Sequence, residues 1–186
     1  MTSITPELDR RFRDAAAAAG LLDVAYETID SPVGELLVAA TPRGLCRIAY
    51  DPEAAVELLA AHGLRVLRSP RPVDAARRQL DEYFEGHRHV FELELDLAVP
   101  EFNRRVLAEL ARVPFGQTTT YGALASQADR PKAARAVGSV MNRNPIPIVL
   151  PCHRVVGANG SLTGYAGGLD RKRQLLSLEG ALPLEL

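Results

Sequence analysis

The sequence predicts an α+β fold in which a small antiparallel sheet domain with helices precedes a mainly helical second domain. Short apolar runs separated by turn residues occupy the first half, whereas apolar residues spaced three or four apart dominate the second half. The charge balance also changes: residues 1–96 carry 11 Lys and Arg against 17 Asp and Glu, and residues 97–186 carry 11 against 6. We therefore expect an extension over residues 1–22 and two domains over residues 23–97 and 98–186.

Composition narrows the class of protein. A chain of 186 residues can bury two small cores, and a hydrophobic share of 47% argues against global disorder. No apolar run approaches the roughly 20 residues of a membrane span, and two distant cysteines do not make a disulfide framework. We therefore expect a cytoplasmic protein with free thiols and no membrane contact. The basic second half predicts an anionic partner such as nucleic acid, although ordinary surface variation also explains this charge.

The elements of the first half follow from turn residues and spacing. Residues 6–19 predict a helix that begins at Pro6 and ends at Gly20. Three strand-like runs with turns between them predict an antiparallel meander. These runs cover residues 24–29, 35–40 and 45–50. Two helices are then expected over residues 52–61 and 72–85.

Two further features complete the first half. The second of these helices is expected to bury one apolar face, which consists of Val73, Ala76, Leu80 and Phe84. Residues 91–97 alternate apolar with acidic side chains. This alternation predicts a half-buried strand with one solvated, acidic side.

Two helices of the second half are predicted from apolar stripes. One carries Phe102, Val106 and Leu110 and ends before Pro114. The other covers residues 169–179 and directs three leucines inward. These leucines are Leu175, Leu176 and Leu178.

Between them, two shorter helices predict a helix-turn-helix. Thr118 or Thr119 can cap the first, which runs through Ala128. Pro131 suits the first position of the second, which is expected to reach Asn142. Small side chains on this second helix would let it approach a surface closely, while its arginine contacts phosphate or enters a base stack. The residues concerned are Lys132, Ala133, Ala134, Arg135, Ala136 and Gly138. The pattern alone favours the alternative, an ordinary helix crossing with a solvated arginine, because helix pairs are common.

Cys152 is the candidate nucleophile. It follows an apolar run and Pro151 and precedes a glycine-rich tail. A thiolate is a strong nucleophile once its pKa falls, and His153 could take the proton through water, because adjacent side chains on an extended chain point apart. Glu179 could orient His153 as the third member of a relay. A buried structural cysteine is the alternative, and Cys46 in its apolar run is interpreted as one.

Other polar residues are weaker candidates. Asn144 is expected to bond its own backbone at a turn, and Tyr121 and Tyr165 are compatible with core positions. The glycine-rich stretch 164–168 could form a flexible lip near Cys152. Zinc-site spacings, phosphate-binding loops and dinucleotide fingerprints are absent, so no metal and no cofactor is expected.

Taken together, the segments from Phe102 to Gly180 resemble the O6-alkylguanine-DNA alkyltransferase family. The matching segments are Pro114-Phe-Gly-Gln-Thr-Thr-Thr-Tyr-Gly, Pro131-Lys-Ala-Ala-Arg-Ala-Val-Gly, Asn144-Pro-Ile-Pro-Ile-Val-Leu-Pro-Cys-His-Arg-Val-Val-Gly, Leu162-Thr-Gly-Tyr-Ala-Gly-Gly and Leu175-Leu-Ser-Leu-Glu-Gly. The resemblance implies a ribonuclease-H-like first domain and a second domain with a winged-helix or helix-turn-helix DNA-binding unit. A tryptophan that is frequent in the family after the position of Phe102 is absent.

The resemblance implies a DNA repair protein that acts once. It would bind double-stranded DNA as a monomer, flip O6-alkylguanine or O4-alkylthymine out of the stack, and move the alkyl group irreversibly to Cys152. Clustering of copies along DNA is left open. The implied catalytic residues are Cys152, His153, Glu179, Asn144 and Tyr121. The implied DNA-binding residues are Arg135, Ala134, Ala136, Lys132, Tyr121, Thr118 and Thr119, and the implied alkyl pocket comprises Tyr165, Ala166, Gly167 and Pro147.

Two other functions are left open by the residues alone. A protein that flags alkylated DNA without repairing it needs the helix-turn-helix but no reactive thiol, and the intact Cys152 argues against this function. A cysteine hydrolase would use Cys152 with His153, although adjacent residues are poorly arranged for direct proton transfer. Multiple turnovers on an ester or amide would favour the hydrolase.

Overall fold

The computed structural model describes residues 23–61 and 64–182, together with residues 5, 7, 11, 15, 16 and 19–21. The helix expected over residues 6–19 therefore lies largely outside the described residues. The chain divides into two compact units. The first extends to Asp81 and includes Glu92–Asp96, and the second comprises Glu82–Phe91 and the chain from Leu97 onward. The α+β class is confirmed, because the first unit contains a four-stranded sheet and the second is mainly helical.

The sheet of the first unit has four strands. They are β1 (Val24–Ile29), β2 (Leu36–Thr41), β3 (Gly44–Ala49) and β4 (Val66–Arg68), in the order β3-β2-β1-β4. The first three are antiparallel neighbours, as the alternating runs predict. β4 runs parallel to β1 and was not predicted, because three residues are too few to show an alternating pattern.

A helix packs on this sheet. Helix α1 (Pro52–Ala61) begins at the expected proline and contacts β2 and β4. The first five residues of β2 are buried, which explains why they form a continuous apolar run. The resulting core includes Val24, Leu37, Ala39 and Ala55, with the half-buried Cys46 packed against it.

The strand expected over residues 91–97 is wrong. The segment forms no ladder with the sheet, and its backbone pairing is a single bridge between Leu95 and Leu45. The Leu45 amide donates to the Glu94 carbonyl at 2.8 Å, and the Asp96 amide donates to the Leu45 carbonyl at 2.9 Å. The side chains still alternate between half-buried apolar and exposed acidic over residues 91–94. Alternation therefore reports which side of a segment is buried, and not whether a neighbouring strand continues the ladder.

The remaining helices belong mainly to the second unit. They are α2 (Asp74–Phe84), which follows a 3₁₀ turn and includes residues of both units, α3 (Glu101–Ala111), α4 (Tyr121–Gln127), α5 (Ala134–Asn142) and α6 (Leu169–Leu178). Helices α4 and α5 pack against each other and against α3, as a helix-turn-helix requires. A short parallel pair joins β5 (Thr119–Thr120) to β6 (Val155–Val156). Among the described residues, no helix has both the length and the apolar character to cross a membrane.

The predicted cap of α4 is wrong. Neither Thr118 nor Thr119 caps this helix; Thr120 does, and its Oγ1 accepts a hydrogen bond from the Ala123 amide at 3.1 Å. The reason is that Thr119 and Thr120 pair with β6, so the helix begins only at Tyr121.

The predicted start of α5 is also wrong. Pro131 and Lys132 form a turn that closes with a hydrogen bond from the Ala133 amide to the Arg130 carbonyl at 2.9 Å. The helix therefore begins at Ala134, three residues after the proline.

Two buried faces differ from the predicted ones by one or two positions. On α6, Leu178 is 37% exposed, because the buried stripe consists of Lys172, Leu175, Leu176 and the cap residue Glu179. On α2, Phe84 is half-buried, and the fully buried aromatic residue is Tyr83. The buried face of α2 contains Tyr83 and that of α6 contains Lys172, and both residues belong to the candidate active site described below.

Candidate active site

A tight turn delivers Cys152 to the site. The side chain of Asn144 spans this turn: its Oδ1 accepts the Ile146 amide at 3.1 Å, and its Nδ2 donates to the Leu150 carbonyl at 2.8 Å. The Leu150 carbonyl also accepts the Cys152 amide at 2.8 Å, which closes a γ-turn centred on Pro151. Asn144 thus bonds the backbone, as predicted, and holds the turn that leads into Cys152.

The same turn holds a strained residue. Ile148 has φ of 74°, a value that β-branched residues rarely adopt, and its side chain is fully buried. A hydrogen bond from the Leu150 amide to the Ile146 carbonyl, at 2.9 Å, closes the loop around it. Such strain costs roughly 1–3 kcal/mol and persists only where the surroundings enforce it. The turn before Cys152 is therefore held by its neighbours.

Cys152 begins a 3₁₀ helix (Cys152–Arg154), whereas an extended chain at Cys152 and His153 was expected from the sequence. In a 3₁₀ helix, consecutive side chains are about 120° apart, so Cys152 and His153 still point in different directions. The Cys152 side chain is buried, and burial raises the pKa of its thiol to about 11. A hydrogen bond from Asn144 and the charge of Lys172 oppose this rise. The resting thiol is therefore protonated at neutral pH, and its reaction requires a base.

His153 is the residue placed to act as that base. It is fully buried, and its Nε2 lies 2.8 Å from Oε1 of Glu179. Burial lowers the pKa of His153 and outweighs the opposing effect of Glu179, so the ring is neutral at pH 7. An ionised carboxylate only accepts hydrogen bonds, so Nε2 carries the proton. Nδ1 has no hydrogen-bond partner among the described residues and presents a lone pair.

Glu179 is held as an anion by several donors. The guanidinium of Arg154 donates a hydrogen bond to each carboxylate oxygen, from Nε to Oε2 at 2.8 Å and from Nη2 to Oε1 at 2.9 Å. The Tyr83 hydroxyl donates to Oε1 at 2.7 Å, and the Gly116 amide donates to Oε2 at 3.4 Å. Burial alone would raise the pKa of Glu179, but the bonds from His153 and Arg154 lower it to about 2. The carboxylate therefore orients His153 and does not exchange protons with it near neutral pH.

Lys172 is a site residue that the sequence reasoning missed. Its side chain is fully buried, and Nζ donates to the carbonyls of Val155 and Thr163. Burial lowers the pKa of Lys172 to about 8, partly offset by Cys152. A cation near the sulfur favours the thiolate. In sequence it resembles a solvated residue of an Arg-Lys-Arg run, and its position three and four residues before Leu175 and Leu176 is the signal that places it inside.

Tyr121 lies against the loop that Lys172 also contacts. Its hydroxyl is 3.4 Å from the Thr163 carbonyl and 3.5 Å from the Gly164 carbonyl. Its ring is half-buried at the start of α4 and faces Gly138 of α5. Among the catalytic candidates, Tyr121 thus reaches this loop and not the His153–Glu179 pair.

The predicted pocket residues differ in exposure. Gly167 and Pro147 are buried, Tyr165 is half-buried, and Ala166 is exposed. The Gly167 carbonyl accepts a hydrogen bond from Arg171 at 2.9 Å, which ties this stretch to α6. These residues lie on the two segments that flank Cys152 in sequence, and their role as a pocket stays a prediction.

The predicted DNA-binding residues lie on α5, on the turn before it, and on the segment that leads into α4. Arg135, Ala136 and Lys132 are exposed, and Ala134 is half-buried. The side chain of Arg135 has no hydrogen bond or ion pair within the described part of the chain, so its charge is free to meet an anion. The two threonines predicted to bind DNA differ in exposure: Thr118 is exposed, whereas Thr119 is half-buried in β5.

The second cysteine contrasts with the first. Cys46 is half-buried in the sheet unit, and its Sγ donates to the Ala39 carbonyl at 3.3 Å. Burial raises the pKa of this thiol to about 11 as well, but no histidine or lysine is among the groups that act on it. Across the described residues, no group of three or more His, Cys, Asp and Glu side chains is placed to hold a metal ion.

Comparison with known protein families gives two matches. Residues 101–181 match the family described as 6-O-methylguanine DNA methyltransferase, DNA binding domain. Residues 24–97 match 6-O-methylguanine DNA methyltransferase, ribonuclease-like domain. Together the two matches cover most of the chain and occur in the order that the sequence resemblance implies.

Individual relatives agree with the family matches. The methylated-DNA–protein-cysteine methyltransferase of Mycolicibacterium paratuberculosis is 44% identical over 161 residues, which cover 84% of this chain and 92% of that protein. The protein of the same name from Methanosarcina acetivorans is 41% identical over 163 residues, which cover 84% of this chain and 98% of that protein. The crystal structure of Mycobacterium tuberculosis OGT in complex with DNA superposes with a TM-score of 0.76 at 41% identity, covering 84% of this chain and 93% of that one.

Proposed function

The chain belongs to the 6-O-methylguanine DNA methyltransferase family, and we propose that it repairs DNA by moving the alkyl group of O6-alkylguanine onto the sulfur of Cys152. The observation that carries this proposal is the buried, hydrogen-bonded pair of His153 and Glu179, in which His153 follows Cys152 in the same 3₁₀ helix. A resting thiol that is protonated needs an adjacent base, and a neutral imidazole with a free lone pair is such a base.

The chemistry follows from the states of these groups. His153 accepts the thiol proton at Nδ1 through a water molecule, and the resulting imidazolium is stabilised by Glu179. The thiolate, stabilised by Lys172, attacks the alkyl carbon, so that the S–C bond forms as the bond from O6 to that carbon breaks. The departing guanine receives a proton, for which Tyr121 is our candidate donor. The thioether product has no acidic hydrogen, so His153 has no proton to remove and no second cycle begins.

DNA binding is assigned to the surface around α5. The guanidinium of Arg135 is exposed and unpaired within the described residues, and small side chains flank it on the helix. We propose that α5 enters a groove and that Arg135 occupies the space that the flipped base leaves, with Ala134, Ala136 and Lys132 beside the backbone. O4-alkylthymine is a second expected substrate, because it carries the alkyl group on the equivalent exocyclic oxygen.

The other assignments extend this proposal. Residues 98–186 would carry both DNA binding and chemistry, with residues 23–97 as a separate domain and residues 1–22 as an extension. Gly167 and Pro147, with Tyr165 and Ala166, would border the alkyl group. The protein would act as a cytoplasmic monomer on double-stranded DNA. Binding measurements on long duplexes would show whether copies cluster along the DNA.

Stoichiometry tests the proposal. Duplex DNA that carries a labelled methyl group at O6 of guanine is added in excess to the wild-type chain, to Cys46→Ala and to Cys152→Ala. We expect the first two proteins to take up one methyl group per molecule and then stop, and Cys152→Ala to take up none. Continued turnover, or uptake by Cys152→Ala, would refute the proposed function.

A further inference from the structure

Tyr83 contacts the catalytic carboxylate from a helix that precedes the family's catalytic segments. Its side chain is fully buried, and its hydroxyl donates to Oε1 of Glu179 at 2.7 Å. A buried hydroxyl requires a partner, and this partner is the atom that also receives the His153 Nε2–H. Tyr83 and His153 therefore share one acceptor oxygen.

Aromatic neighbours fix the direction of the Tyr83 hydroxyl. The Tyr83 ring lies edge-on to Phe84 and to Phe115, with centroid distances of 5.3 Å and 6.1 Å, and Phe91 lies 5.4 Å away. Such contacts restrict the two side-chain torsions of a tyrosine, so the hydroxyl is aimed at the carboxylate before any substrate is present.

Tyr83 and Arg154 have different effects on the Glu179 carboxylate. Arg154 donates to both oxygens and therefore fixes the plane of the carboxylate. Tyr83 adds a second donor at Oε1, the oxygen that also meets the imidazole. The charged groups that act on His153 are Glu179, Arg154 and Lys172. Because the hydroxyl withdraws negative charge from Oε1, its loss would leave a stronger attraction between Glu179 and an imidazolium.

We propose that Tyr83 is a positioning residue for alkyl transfer: its hydroxyl holds Oε1 of Glu179 where that oxygen accepts His153 Nε2–H, and thereby aims Nδ1 toward the side of Cys152. The inference rests on the proposed function for its kinetic consequence, but the positioning itself is a property of the protein without substrate. It adds a residue outside the catalytic segments to the site.

Tyr83→Phe tests the proposal, because it removes only the hydroxyl. In a reaction that occurs once per molecule, the amplitude reports the folded fraction and the rate constant reports chemistry. We expect an unchanged amplitude and a rate constant lower by about tenfold, the effect of weakening one hydrogen bond to a charged group. The acidic limb of the pH–rate profile should move to higher pH, because His153 would hold its proton more strongly. Phe84→Leu is the matched control, since it disturbs the same aromatic group without touching Glu179, and should leave that limb in place.

The nuclear magnetic resonance signal of His153 Nε2–H gives a readout that needs no reaction. We expect this signal to shift in Tyr83→Phe and to stay in place in Phe84→Leu. An unchanged signal, rate constant and pH profile in Tyr83→Phe would overturn the proposal, as would equal changes in both variants. Failure of the wild-type chain to transfer any methyl group would refute the proposed function instead, and the imidazole signal would still decide the role of Tyr83.

Discussion

Nε2 of His153 lies 2.8 Å from Oε1 of Glu179, although the two residues are 26 positions apart in the chain. Both side chains are fully buried. A neutral imidazole and an ionised carboxylate therefore share a site from which water is largely excluded. In such a site, the orientation of the imidazole is set by hydrogen bonds and not by solvent.

The first prediction concerns acid stability. The folded pKa of Glu179 is about 2, below its usual value of 4.5, so the folded state binds fewer protons than the unfolded state between these values. The stabilisation from this group is complete above about pH 4.5 and is lost as the pH falls toward 2. The stability of Glu179→Gln should therefore not show this loss between about pH 4.5 and pH 2. At pH 7 we expect the variant to be less stable by roughly 3–5 kcal/mol, because Arg154 becomes an uncompensated buried charge.

Urea unfolding at several pH values measures both effects. Glu109→Gln is the control, because it breaks an exposed pair with Arg112 and should cost at most about 1 kcal/mol. A Glu179→Gln protein as stable as the control would contradict the buried ion network.

The second prediction concerns Gly116. Its φ is +74°, and a Cβ atom built there would lie 2.9 Å from the Glu179 carbonyl oxygen. Gly160 has a similar φ of +80° with nothing near it. Both alanine variants should lose about 1 kcal/mol from backbone strain, and Gly116→Ala should lose clearly more and also slow alkyl transfer. Thermal unfolding and single-turnover rates measure this difference, and equal behaviour of the two variants would argue against a close approach of this turn to Glu179.

The third prediction concerns the start of α4. Thr120→Ala removes the hydrogen bond to the Ala123 amide and should cost about 1 kcal/mol. Thr118→Ala changes an exposed residue that caps nothing and should be neutral within about 0.5 kcal/mol. Denaturant unfolding of both variants compares them directly. A larger loss for Thr118→Ala would restore the cap position first expected from the sequence.

Much of the fold follows from local patterns, and the errors have physical causes. The meander and the helices α1, α2 and α3 were predicted because spacing and turn residues are local signals. The segment over residues 91–97 was wrong because a ladder depends on a partner strand that no local pattern specifies. The start of α5 was wrong because Pro131 serves a turn, and a proline suits a turn as well as a first helical position.

The sequence predicted only some of the residues that form the site. Cys152, His153 and Glu179 were proposed from their residue types, and the structure supplies the 2.8 Å contact between His153 and Glu179. Lys172 was missed because a lysine between two arginines resembles a solvated face. Tyr83 was missed because Phe84 was assigned to the buried stripe, although Val73, Ala76, Leu80 and Tyr83 also recur at helical spacing.

The fourth prediction separates DNA binding from chemistry. Arg135 is exposed, and its proposed role is to support base flipping and not the chemical step. Arg135→Ala should therefore slow repair of duplex DNA by about tenfold or more while leaving the reaction with free O6-benzylguanine nearly unchanged. Arg112→Ala is the control, because it removes the same charge from a residue already paired with Glu109. Equal loss of both reactions in Arg135→Ala would exclude a role in base flipping.

The mass of the peptide that contains Cys152, measured after the protein meets duplex DNA carrying O6-methylguanine, tests the central proposal most directly. We predict that this peptide gains the mass of one CH₂ group, that the peptide containing Cys46 is unchanged, and that the lesion disappears in equal amount. A lesion that disappears while the Cys152 thiol stays intact would contradict alkyl transfer to this sulfur, and so would a lesion that persists beside an excess of folded protein.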